Sequence, residues 1–119
     1  MFITLDDRQY ELAKTLRVAY KVQGQHSHKP YSEIFSSLGD MTLEQQVAIV
    51  YASFSVANPE EIKTISEKAF LDNFLDRYNV GELMALLEGI IEGIMGPDLI
   101  AKAKANAETK KEEKDEEGN

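Results

Sequence analysis

His26 and His28 are the only histidines of the chain, and their i, i+2 spacing in GQHSHKP would set both imidazoles on one side of an extended segment, as in some metal centres. No further ligand cluster accompanies them and the segment is polar, so they read as surface histidines. Asp72 and Asp76 stand at i, i+4, where two carboxylates on one helix face could share a cation. Lys68 and Arg77 fall close enough to screen them, and the pair reads as the solvated face of an amphipathic helix. There is no G-x-S-x-G and no Ser, His and Asp set whose roles can be assigned. The glycines of GIIEGIMG lie inside a helical pattern and not after a strand, which removes a dinucleotide-binding reading. The absence of cysteine excludes thiolate nucleophiles, thiolate zinc sites and a disulfide framework. The expectation is a protein with no catalytic residues, no metal and no cofactor.

Charge narrows the partners. The 119 residues carry 13 Lys+Arg against 21 Asp+Glu, a formal charge of −8. Non-specific nucleic-acid binding and docking on anionic membranes both need a positive surface, so neither is expected. The basic residues are scattered and the aromatics follow helix stripes, unlike a stacking platform for single strands. The nearly apolar run Val80–Met95 is interrupted by Glu82, Glu88 and Glu92, which argues against a membrane span. The opening MFITLDDRQYEL has acids where a signal peptide needs a basic leader. These features predict a soluble protein of the cytoplasm.

The length and a hydrophobic fraction of 43% fit one domain. Residues 1–100 hold 8 basic and 15 acidic side chains, and residues 101–119 hold 5 and 6. The final KKEEKDEEGN has no apolar side chain to offset its ordering entropy, so it reads as disordered. The preceding AKAKANAE reads as a helix extension. The domain is placed at 1–100 and the tail at 101–119.

The elements within the domain predict a mostly α protein with a short N-terminal β-hairpin. FITL is β-prone, Asp6-Asp7 is turn chemistry, and Gln9–Leu12 alternates again. Residues 14–23 fit two patterns. Leu16, Val18, Tyr20 and Val22 alternate as in a strand, while Leu12, Leu16, Ala19, Tyr20 and Gln23 have helical spacing; helix is the reading adopted. Tyr31, Ile34, Phe35 and Leu38 predict a helix closed by Gly39. Thr42 and Gln45 form a capping-box pattern ahead of Leu43, Val47, Val50, Tyr51 and Phe54. That helix ends at Asn58-Pro59. Ser66 opens another with Phe70, Leu71, Phe74, Leu75 and Tyr78 as its stripe, and Asn79 and Gly81 lie past its end.

The segment Val80–Met95 has an apolar arc of about half its circumference, wider than a surface helix needs. Gly89 and Gly93 each cost about 1 kcal/mol of helix propensity against alanine, which points to close approach of another backbone, within the fold or across a subunit interface. Leu83, Leu87, Ile90, Ile91 and Ile94 are therefore the candidate residues for partner or self contacts, with Gly89 and Gly93 admitting the partner helix. On this reading Ile90→Glu with Ile94→Glu abolishes association while the domain stays helical. The aromatics Tyr31, Phe35, Tyr51, Phe54, Phe70, Phe74 and Tyr78 read as core, with some available to line a groove for a partner helix.

Three segments in order carry a family resemblance: MFITLDDRQYELAKTLRVAYKVQ, YSEIFSSLGDMTLEQQVAIVYASF and AFLDNFLDRYNVGELMALLEGIIEGIMG. Together they resemble the tail assembly chaperones of long-tailed bacteriophages (siphophage type) of Gram-positive hosts. The resemblance covers nearly all of residues 1–100 and lies in segment order and apolar spacing. It implies a hairpin leading into helices and a charged tail. It also implies a non-enzymatic role in the host cytoplasm: binding the tape measure protein, keeping it soluble while tail tube subunits polymerise around it, and absence from the mature virion. A longer form made by a programmed ribosomal frameshift would recruit the tail tube protein, and Lys110-Lys111 before Glu112 would suit a slippery adenine run. Such a chaperone needs exposed apolar helix faces and self-association as a homo-oligomer along its client, where weak repeated contacts add yet each can release.

Two other classes remain open at this level. One is a structural tail or head–tail connection protein retained in the virion. The other is a small acidic regulatory or inhibitor protein that mimics nucleic acid, whose binding to a basic partner would be salt-sensitive.

Overall fold

A computed structural model describes residues 1–96 together with Asp98 and Leu99. The boundary proposed at residue 100 and the tail 101–119 lie outside the described residues. Strands β1 (Phe2–Leu5) and β2 (Arg8–Glu11) pair antiparallel with Ile3 opposite Tyr10. Asp6 and Asp7 form the two-residue turn with φ of 47° and 65°. Both values are left-handed, as the twist of a tight hairpin demands, and a short polar side chain tolerates that region. The alternation buries Ile3, Leu5 and Tyr10 on one face of the ribbon.

Helix α1 (Leu16–Gln25) resolves the ambiguity of residues 14–23 in favour of helix. Its buried face is Val18, Ala19 and Val22, so Leu16 and Tyr20, which the helical stripe had placed inward, point to solvent. The chain then turns through Ser27 and His28, both at positive φ (56° and 61°), with the His28 N–H donating to the Gln23 carbonyl at 2.7 Å. Helix α2 (Tyr31–Ser36) is shorter than its stripe predicts. The hydroxyls of Ser36 and Ser37 donate to the carbonyls of Glu33 and Ile34, competing with the helical ladder. Gly39 consequently lies in a separate 3-10 turn (Leu38–Asp40) and does not cap the helix.

Helix α3 (Leu43–Ala57) starts at the expected capping box, with both arms formed between Thr42 and Gln45. It is buried on nearly every side, through Gln46, Val47, Ile49, Val50, Ala52, Ser53, Phe54 and Ser55. Leu43, expected on its inward stripe, is 52% exposed in the first turn. Helix α4 (Glu67–Arg77) begins at Ser66, whose hydroxyl accepts from the Ala69 N–H. Helix α5 (Val80–Met95) has the predicted extent. Asn79 does not simply trail α4: it caps α5 in a second capping box with Glu82, which places Gly81 inside the helix.

These elements enclose α3. Helices α1, α4 and α5 and strand β2 all pack on it, while β1 packs on α4. Two hydrogen bonds lock the segment after the hairpin to α3: the Ser53 hydroxyl donates to the Ala13 carbonyl at 2.6 Å, and the Ala13 N–H donates to the Ser53 carbonyl at 3.2 Å. Aromatic rings run in a chain from Tyr10 through Phe54, Phe70 and Phe74 to Tyr78, with centroid separations of 5.4, 5.1, 6.1 and 4.4 Å. The chain closes on the hairpin, where the Thr4 N–H donates to the Tyr78 hydroxyl at 2.8 Å. Tyr78→Phe keeps the ring and removes only that acceptor. It is expected to cost about 1 kcal/mol, seen as a lower urea midpoint at unchanged slope. An unchanged midpoint would show that the bond contributes nothing.

Candidate functional site

The residues expected on a free face of α5 divide into two groups. Leu83, Leu87 and Ile90 are core: Leu87 and Ile90 are 0% exposed and Leu83 is 3% exposed. Ile91 and Ile94 are half-buried, and Ile94 packs against the same core. Most of the wide apolar arc is therefore covered within one chain, by α3 and α1, while Ile91 and Ile94 keep partial exposure. The two glycines are also filled from within. A Cβ at Gly89 would collide with the end of the Met1 side chain, and one at Gly93 with the Cβ and stem of Lys14. Within the chain, what approaches the two glycines is the N-terminal segment, through the side chains of Met1 and Lys14.

The histidines do not form a pair. His26 caps α1 and His28 follows in a left-handed turn, so the extended geometry that would align two imidazoles is absent. Asp72 and Asp76 lie exposed on the outer side of α4, in a shallow polar depression shared with Asp6 and Arg77. Arg77 reaches Asp7 at 3.7 Å. Among the described residues, no group of three or more His, Cys, Asp or Glu could hold a metal ion, and no helix is long and apolar enough to cross a membrane.

The fold also leaves apolar concavities open. A groove of about 270 Å³ runs between the starts of α3 and α5 and the end of α4. Phe74, Val47 and Leu83 form its floor, and Leu43, Leu75 and Val80 form its rim, all three exposed. The groove exists because α3 and α5 each begin at a capping box. Capping fixes where each first turn stands, and each first helical residue (Leu43, Val80) then projects beyond the packed layer. A second cavity of about 360 Å³ lies farther along the same α3–α4 seam, over Tyr51, Phe70 and Leu71, with Glu44, Glu67 and Lys68 at its mouth. The stripes of α3 and α4 had included Leu43 and Leu75 as buried positions. Only the packing shows that these two, with Val80, face solvent.

No protein-family model matches the chain, and no curated protein or solved structure matches it.

The burial of α5 reverses one expectation. Ile90→Glu with Ile94→Glu puts a carboxylate where water cannot follow, a cost comparable to the whole stability of a small domain. The double variant is expected to lose its helical circular-dichroism signal at room temperature. Retention of that signal would contradict the core assignment.

Proposed function

We propose that this chain is a non-enzymatic tail assembly chaperone that holds an amphipathic helix of a tape measure protein in the groove between α3, α4 and α5. The observation that carries the reading is the groove's exposed rim. Leu43, Leu75 and Val80 converge on one apolar floor in a chain whose formal charge is −8. Apolar side chains grouped around a concavity mark a binding surface, whereas the same residues scattered singly would need no explanation. The recognition mode is helix-in-groove, with apolar anchors entering at one-turn spacing. Segment order adds the family resemblance, and the acidic surface keeps a chaperone soluble while its client is not.

On this reading the client is held in the host cytoplasm and handed over as the tail tube forms, and the mature virion contains none of this chain. The tail tube protein is recruited through a longer frameshifted form. One shallow groove binds weakly, and many copies along a long client bind strongly while each remains displaceable. Affinity purification of the tagged chain from phage-producing cells should recover a very long helical tail protein, and purified virions should lack the chain. Detection of the chain in virions would favour a structural tail component instead.

Leu43→Glu with Val80→Glu tests the groove. Both substitutions fall in first helical turns, where the helix macrodipole favours a carboxylate, so the fold should persist. Client recovery is expected to fall at least about tenfold at an unchanged circular-dichroism spectrum. Undiminished recovery would move the client site elsewhere.

A further inference from the structure

Helices α1 and α4 carry the same side-chain pattern with charges of opposite sign. On the outward side of α1, Leu16 and Tyr20 stand at i, i+4 and are 71% and 69% exposed. Each is followed by a basic residue, Arg17 and Lys21, so a basic stripe runs beside the apolar one. The acidic counterpart lies on α4. Leu71 and Leu75 stand at i, i+4, and each is followed by an acid, Asp72 and Asp76. Leu71 is half-buried, while Leu75, Asp72 and Asp76 are exposed. None of Arg17, Lys21, Asp72 and Asp76 has an ion-pair partner among the described residues. The segment between Glu11 and Glu33 contains no acid at all, although the chain as a whole is acidic.

We infer that α1 of one copy packs antiparallel on α4 of a second copy, Leu16 and Tyr20 against Leu71 and Leu75, with Arg17 and Lys21 facing Asp72 and Asp76. Orientation follows from the order of residues. On each helix the charged stripe lies one residue C-terminal to the apolar stripe and so on the same rotational side. Two such helices laid face to face bring their charged stripes together only when one runs opposite to the other, the same geometry by which flanking charges choose orientation in coiled coils. Lys68, one turn before Leu71, then faces the uncharged Gln23 and Gly24. A chain cannot satisfy its own pattern. Helix α1 packs on α3 through Val18, Ala19 and Val22, so its stripe faces away from α4. Each copy offers both an α1 and an α4 surface, so two copies can exchange both contacts in a closed pair or pass them on in series.

This inference goes beyond the client reading, and its test uses the purified full chain with no client present. Sedimentation of the wild type at about 100 µM should show species larger than a monomer. Arg17→Glu with Lys21→Glu, and separately Asp72→Lys with Asp76→Lys, should each weaken association about tenfold or more. Mixing these two variants, or combining all four substitutions in one chain, should restore it. If either reversal alters the circular-dichroism spectrum, Leu16→Ser with Tyr20→Ser decides instead, because both side chains are exposed and the fold does not use them. That variant should be monomeric. A monomeric wild type, reversals that leave association unchanged, or a four-fold swap that fails to restore it would each overturn the inference. Leu43→Glu with Val80→Glu should leave association intact, which separates failure here from failure of the client groove.

Discussion

A fifteen-residue helix that is apolar on nearly every side has to be surrounded before it can be stable in water, and this constraint organises the molecule. No single neighbour can cover α3. The chain meets the demand with α1, α4 and α5 around its circumference and β2 across its C-terminal half, where Phe54 meets Tyr10, Tyr51 and Phe70. The hairpin, which would be marginal alone, is held by burial of Ile3, Leu5 and Tyr10 and by the link from Thr4 to Tyr78. Ser53, one of three buried polar residues of α3 with Gln46 and Ser55, donates to the carbonyl of Ala13 and so fixes where the hairpin hands over to α1.

The way α3 is covered also determines what is left bare. Its first residue, Leu43, is left exposed, and the abrupt connection from α4 to α5 through Tyr78 and Asn79 brings Leu75 and Val80 beside it. Helix α1 uses small side chains, Val18, Ala19 and Val22, to approach α3, which pushes its large ones, Leu16 and Tyr20, outward. Both bare surfaces are thus by-products of how the central helix is enclosed. The proposed client site uses the first of these surfaces, and the proposed contact between copies joins the second to α4, where Leu75 belongs both to the groove rim and to the contact.

The elements themselves were largely legible. Asp6-Asp7 signals its turn because few residue pairs accept two left-handed positions in succession, and Thr42/Gln45 and Ser66 mark helix starts because their side chains answer orphan N–H groups. The whole extent of α5 followed from its apolar arc and from Gly96 at its end. Exposure was less legible. Periodicity says that a face is apolar and does not say what covers it. Leu83, Leu87 and Ile90 looked like surplus surface because the depth of cover on α5 depends on residues far away in sequence, including Met1 and Lys14 at its two glycines. Leu16 and Tyr20 were assigned inward because their spacing is helical. The competing set Val18, Ala19 and Val22 has smaller side chains, and those suit a close helix–helix approach better.

The proposed function requires an open apolar groove that shields a helical client. Its most direct test is expression of the tape measure protein alone, with the wild-type chain, and with the Leu43→Glu, Val80→Glu chain, followed by measurement of the soluble fraction. The expected result is a largely insoluble client alone, a soluble complex with many copies of the wild-type chain, and little rescue by the groove variant. A client that is soluble by itself, or that is rescued equally by both chains, would contradict it.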